Sequence, residues 1–368
     1  MRLTRRPPRP STPSSTPSPT ARSRRSLLLV AGLALAVLVA GGVVGWRLLA
    51  GEDDTRLQAA LRLTPAAERV TWTDWSGVRA ALDADLDAGS PGSAVQAMLD
   101  AGFERDLTAT SALLSSAETM QRELGFSPGT LDWEVFSRAE GFTSLTMRLG
   151  PSEDVDRIGD ALRRAGYSDD GDGRFSSPDD IPILARVTPV LGTVQIDAER
   201  RLVIASDTTE ALDRAVAAAR ADDASPVRED VVRALGAPIT AALFAGDQVC
   251  RDLAMGQADA TSQAEAAPLL AAAGRVNPLQ GFGLGLDADG AARVAMALES
   301  ADQARANADV RATLASGPAP GQGGTFPERF TLDRAVATGA VVVFDLTPQP
   351  GAYLLSDLTR GPVLFATC

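Results

Sequence analysis

Two hydrophobic rhythms alternate along most of this chain. In residues 131–150 (LDWEVFSR, AEG, FTSLTMRLG), apolar and polar side chains alternate on either side of a short polar break. That two-residue period predicts a β-hairpin. The period then lengthens: in PSEDVDRIGDALRRAG, Val155, Ile158, Leu162 and Ala165 recur at helical spacing. The same order returns in GTVQID, AERR, LVIAS followed by DTTEALDRAVAAARA (192–221), and in GFGLGL, DADG, AARVAMALE followed by SADQARANADVRATLAS (281–316). Asp207 with Glu210, and Ser300 with Gln303, stand at capping-box spacing at the head of the last two helices. Val187-Thr-Pro189-Val-Leu-Gly192 and Val276-Asn-Pro278-Leu-Gln-Gly281 introduce the second and third hairpins at a constant offset of 89. A β-β-α repeat is one reading, and a chance likeness between hairpins is the other.

Upstream, EDDTRLQAALRL (52–63) reads as a short helix that stops at Pro65, and RVTWT (69–73) as a strand. Asp74 stands where a helix N-cap belongs, with Val78, Leu82 and Leu86 at helical spacing. Further helical patterns cover 92–101 and 106–124, the latter bounded by Gly125 and Pro128. Downstream, 239–254 and 340–358 each pass from a strand to a helix, and SGPAPGQGG (316–324) is a loop. Hairpins followed by helices predict an α+β fold. The expected form is an antiparallel sheet built from β-β-α units with helices on one face, preceded by a transmembrane helix and a helical segment.

The apolar run Leu27–Trp46 contains 20 residues without a charge. As a helix it would span about 30 Å, the thickness of a hydrocarbon core. An uncleaved membrane anchor is the expectation. A cleaved secretory signal is the competing reading, although such signals carry a shorter apolar region. Seven arginines and no acid precede the run, and Glu52, Asp53 and Asp54 soon follow it. The positive-inside rule then puts the N-terminus in the cytoplasm and the rest outside. On this division the formal charge of −12 separates into +7 on residues 1–25 and −19 on the exported part, which holds 28 Arg and all 47 acids. Nucleic-acid binding calls for clustered positive charge and is not expected.

The expected organisation is a disordered Arg/Pro/Ser-rich cytoplasmic tail (1–26), a transmembrane helix (27–46), a stalk (47–68) and a mainly helical segment (69–130). Two α+β units follow, at 131–225 and 226–368, the second ending in a strand.

Composition narrows the chemistry. The chain has no His, and all 35 basic residues are Arg. Histidine relays, His-ligated metals, Schiff-base lysines and P-loop lysines are therefore excluded. Two cysteines remain, Cys250 and Cys368. Outside the membrane an intramolecular disulfide is the expectation, with free thiols or an intermolecular bridge as the alternatives. SDDGDGRFSSPDD places Ser168, Asp170, Asp172 and Asp179 at positions 1, 3, 5 and 12 of a calcium-type loop. Such a loop wants Asp first and Glu last, and a solvated turn explains the same residues. Asp83, Asp85 and Asp87 read as solvated. Asp132 and Glu134 flank Trp133 and would share one strand face, a carboxylate pair such as glycoside hydrolysis uses, or simply outward polar positions. Trp72 and Trp75 read as core or interface anchors. The glycines at 281–285 lack the following helix and later acid of a nucleotide fingerprint. No catalytic residue, metal or cofactor is assigned.

The opening VTWTDWSGVR of the exported part, the DWEVFSRAEGFTSLTMRLG hairpin, the Arg/Pro/Ser-rich tail and the Ala/Leu/Val-rich span together resemble uncharacterised single-pass membrane-anchored exported proteins of high-GC Gram-positive bacteria. That resemblance brings no known activity. The expected role is non-enzymatic binding or scaffolding in the cell envelope, with the bilayer and an unidentified envelope protein as partners. An extracytoplasmic solute-binding or sensor domain is the alternative, and a carboxylate-dependent hydrolase comes third.

Overall fold

The structure, a computed structural model, describes residues 54–178, 181–222 and 227–368. The expected tail and the Leu27–Trp46 span lie outside the described residues. Among those residues no helix is long and apolar enough to cross a membrane.

The strands are β1 (Arg69–Thr73), β2 (Leu131–Ala139), β3 (Phe142–Leu149), β4 (Ser168–Gly171), β5 (Arg174–Ser176), β6 (Thr193–Asp197), β7 (Leu202–Ser206), β8 (Thr240–Ala245), β9 (Gly281–Leu286), β10 (Ala292–Ala297), β11 (Phe330–Thr338) and β12 (Val341–Pro348). All lie in one antiparallel sheet of order β11-β12-β10-β9-β8-β1-β2-β3-β7-β6-β5-β4. The strands of the two expected α+β units are therefore continuous, joined where β1 pairs with β8.

From the β1/β8 junction the sheet runs outward by the same path on each side. One half follows β1-β2-β3-β7-β6 and the other β8-β9-β10-β12-β11. In each, a central strand is followed by a hairpin, a helix (Val155–Ala165 or Ala301–Ala315) and a second hairpin. The β4–β5 hairpin extends the first half alone. This equivalence differs from the three-fold β-β-α repeat expected above. Helices Val155–Ala165 and Ala301–Ala315 pack on one face of the sheet, whereas Thr209–Ala221 packs on the other. The likeness between 187–192 and 276–281 thus joins segments that are not topologically equivalent.

Helices cover both faces rather than one. The two hydrophobic clusters sort by strand parity. Ala242 and Phe244 of β8, Val294 and Met296 of β10, and Val342 and Phe344 of β12 enter the first. Their neighbours Ala241 and Leu243, Ala295 and Ala297, and Val341 and Val343 enter the second. Central strands such as LVIAS and GFGLGL are buried at every position. Near-continuous apolar runs of this kind signal burial on both faces. The second face is covered by Arg56–Leu61, Thr209–Ala221 and Glu229–Leu235.

Residues 54–68 do not form a stalk. Thr55 caps Arg56–Leu61 with a complete capping box, and Leu57, Ala60, Leu61, Leu63 and Ala67 are buried in the second cluster. The Arg56 guanidinium grips Asp74 through Nε at 2.8 Å and Nη2 at 3.0 Å, and donates to Asp132 at 2.8 Å. Asp74 also caps Trp75–Ala81 by accepting from Gly77 N at 2.9 Å. That helix ends before Leu86, and Asp83 takes a left-handed φ of 52°. Only the end of the expected 106–124 helix is helical, at Ala117–Thr119 and a π turn over Met120–Leu124. The cap of Thr209–Ala221 is Thr208 rather than Asp207, whereas Ser300 caps its helix as expected.

The glycines of GFGLGL have a packing reason. Phe282, Leu284 and Leu286 fill the first cluster. A Cβ on Gly283 would stand 2.9 Å from both Leu235 and Val231, and one on Gly285 2.7 Å from Pro238. The bare glycine face lets helix Glu229–Leu235 lie close against the sheet.

Candidate functional site

Asp132 and Glu134, the two carboxylates that flank Trp133, do not converge. A register shift between Leu131 and Trp133 places Asp132 at a bulge, which breaks the alternation that would put residues 132 and 134 on one face. Asp132 turns to Arg56. Glu134 points inward and is 1% exposed. Its oxygens accept from Trp75 Nε1 at 2.9 Å and Ala112 N at 3.0 Å. Burial, opposed by these hydrogen bonds and one from Ser111, pushes its pKa up to about 7. Trp133 packs in the second cluster, 5.9 Å from Trp72, and Trp72 donates to Pro238 O at 2.9 Å. Trp72 and Trp75 are both core residues.

Asp106 is a second buried carboxyl, and no sequence pattern marked it. It takes a left-handed φ of 58°, a conformation that Asp tolerates better than most residues. Its oxygens accept from Leu355 N at 2.5 Å and Ser356 Oγ at 3.4 Å, capping helix Leu354–Leu358 from a distant segment. Burial raises its pKa to about 7.

The described part of the acidic run forms the β4–β5 hairpin over residues 168–176. Ser168 and Asp170 lie in β4, which pairs with β5, and Asp172 takes the turn with φ 51°. Asp179 lies outside the described residues. A strand directs Ser168 and Asp170 along a ladder instead of around a cation. Asp169 is bound by Arg163 at 2.6 Å. Among the described residues no group of acids could hold a metal ion.

Cys250 and Cys368 form an intramolecular disulfide, with Cα atoms 5.7 Å apart and a sequence separation of 118. Cys250 stands on helix Gln248–Leu253 beside β8, and the bridge holds the segment 363–368 against it. Backbone contacts reinforce the attachment: Val363 N donates to Leu253 O at 2.7 Å, and Met255 N to Thr367 Oγ1 at 3.0 Å. Phe365 packs against Phe326, Phe330 and Phe344, with centroids 5.1, 6.2 and 5.8 Å away.

Arg311 lies beneath this segment, fully buried and without an acidic partner among the described residues. It donates to Phe365 O at 2.5 Å, Thr367 O at 3.2 Å and Asn277 O at 2.5 Å. Burial pushes its pKa down to about 9, so it stays charged at neutral pH. A signal for it existed in the sequence. Ala304, Ala308, Arg311 and Ala315 share one helical face, and all are buried.

An open groove of about 710 Å³ lies near the β6–β7 turn. Helix Val155–Ala165 contributes Asp156 and Gly159, helix Thr209–Ala221 contributes Val216 and Arg220, and Phe175 and Ile204 contribute apolar surface. Of its arginines, Arg163 is paired with Asp160 and Asp169, and Arg200 with Asp197.

The chain matches no family model and no curated protein. Among solved structures it is similar to TP0453 in two crystal forms. Form III aligns at 10% identity over 81% of this chain and 97% of that one, with a TM-score of 0.40. Form I aligns at 10% identity over 80% and 94%, with a TM-score of 0.38. A likeness this loose carries no further argument.

Proposed function

We propose that this chain is a single-pass membrane protein with a cytoplasmic N-terminus, whose part beyond the Leu27–Trp46 span serves the cell envelope as a non-enzymatic binding or scaffolding module. The observation that carries the reading is the Cys250–Cys368 disulfide, which uses both cysteines of the chain. Such bridges persist in oxidising compartments outside the cytoplasm. The uncharged 20-residue run and the +7/−19 division of charge about it support the same topology. The binding role draws support from the carboxylates: Asp132 is neutralised by Arg56, and Glu134 is enclosed by Trp75 and Ala112.

Cross-linking in intact cells, followed by mass spectrometry of the partners, tests the proposal. Recovery of the chain in the membrane fraction, joined to envelope proteins, is the expected result. Recovery from the cytosol with cytosolic partners would refute it.

The 710 Å³ groove favours a second reading, an extracytoplasmic solute-binding or sensor domain. That reading requires a solute that raises the unfolding temperature. Substitution of Arg220 should abolish the shift.

A further inference from the structure

We propose that the segment Arg105–Ser116 is a pH-responsive strap, fastened to helix Leu354–Leu358 through Asp106 and to β2 through Glu134, and released when these two buried carboxyls lose their protons to solvent.

The geometry begins with what holds the strap. Leu355 N donates to Asp106 at 2.5 Å, and Ala112 N donates to Glu134 at 3.0 Å. Between them Thr110 Oγ1 meets Thr240 Oγ1 at 2.7 Å. The apolar anchors are Leu107 and Leu113. Both carboxyls are buried, and neither has an ion-pair partner among the described residues. Glu134 faces the Trp75 indole from helix Trp75–Ala81, Ser111 and Ala112 from the strap, Thr73 across β1 and Met147 across β3, and none of these is charged. Asp106 faces Tyr353, Ser356 and Asp357. Asp357, paired with Arg329 at 3.4 Å, adds a like charge. Glu104 lies beside Tyr353, and Arg105 is directed away, to the carbonyls of Ala81 and Ala288.

Buried carboxyls without cations are tolerated when neutral and costly when ionised. The sign follows from the raised values. The ordinary values are 4.5 for Glu134 and 3.8 for Asp106, and in the fold both stand at about 7. Each group's contribution to stability is full below its ordinary value and is lost as pH rises through about 7. Swinging the strap outward hydrates both carboxylates at the cost of the hydrogen bonds above and of exposing Leu107 and Leu113.

Hydrogen exchange on the full-length chain in detergent, corrected for the intrinsic effect of pH, reads the strap directly. Between about pH 5 and about pH 8, protection of the Ala112 and Leu355 amides should fall roughly tenfold or more, while β9 and β10 hold theirs. The double substitution Asp106→Asn with Glu134→Gln should remove that pH dependence. Equal protection at both pH values, or a dependence that survives the double substitution, would overturn the proposal. If the doubly substituted chain does not fold, infrared spectroscopy of the unsubstituted chain decides. A carboxylic-acid carbonyl band that persists at about pH 6 and disappears by about pH 8 is expected. Its absence at about pH 6 would equally overturn the proposal.

Discussion

The two halves of the sheet follow one path and are closed by different means. In the first half, β7 leads into helix Thr209–Ala221, whose Leu212, Ala215, Val216 and Ala219 cover the second face. The β4–β5 hairpin continues that half outward beyond β6. In the second half, β12 leads instead into the short helix Leu354–Leu358 and the segment 363–368, which return to the first face. The second half ends on β11, whose outer edge is unpaired among the described residues. A bulge beside Leu332 and the charges of Asp333 and Arg334 protect this edge. Strand order is thus shared while closure is not. The covalent link and the buried cation both occur where closure relies on a short segment rather than a long helix.

Breaking that closure should separate the halves most clearly. Reduction of Cys250–Cys368 removes a 118-residue cross-link, worth about 4–5 kcal/mol in the chain-entropy model. Denaturant melts with and without reductant should show the loss, and hydrogen exchange should place it first in β11, β12 and 363–368. Arg311→Met would strand the carbonyls of Asn277, Phe365 and Thr367. At about 1–3 kcal/mol for each buried unsatisfied group, a loss of about 3 kcal/mol or more is expected. An unchanged melting midpoint would show that the closure does not need the cation. Gly283→Val tests the seat of helix Glu229–Leu235. The new side chain meets Val231 and Leu235, and overpacking of this kind costs about 1–3 kcal/mol. A variant as stable as the parent would disprove the close approach. Arg56→Ala should have the smallest effect, about 0.5–1 kcal/mol, because the guanidinium is half exposed and Asp74 keeps its cap to Gly77. Its effect should appear as faster exchange in residues 54–68.

Local pattern made some of this architecture legible in the sequence. Hairpins β2–β3, β6–β7 and β9–β10 were readable because alternating side chains flank short polar turns. Helices Val155–Ala165 and Ala301–Ala315 were readable from their spacing and, in the second, from the Ser300 cap. β11 was not, because FTLDRAVAT mixes charges with small residues at an edge that is only partly buried. Helices Arg56–Leu61 and Thr209–Ala221 were readable too, but not their place on a second face, since alternation records one buried face and the central strands have two. The Asp132/Glu134 pairing failed at a bulge, which depends on register with β3 and leaves no mark on composition. Asp106 caps a helix about 250 positions away, and a cap in trans has no sequence spacing to read. The cysteine pairing was legible because only two cysteines are present.

The proposed topology displays this sheet outside the cytoplasm, where the Cys250–Cys368 bridge closing its second half persists. The most direct test is to alkylate thiols in unbroken cells before lysis, then map the membrane-fraction chain by mass spectrometry without reduction. The peptide containing Cys250 should be joined to the peptide containing Cys368, with neither thiol alkylated. Recovery of both cysteines in alkylated form would contradict that topology.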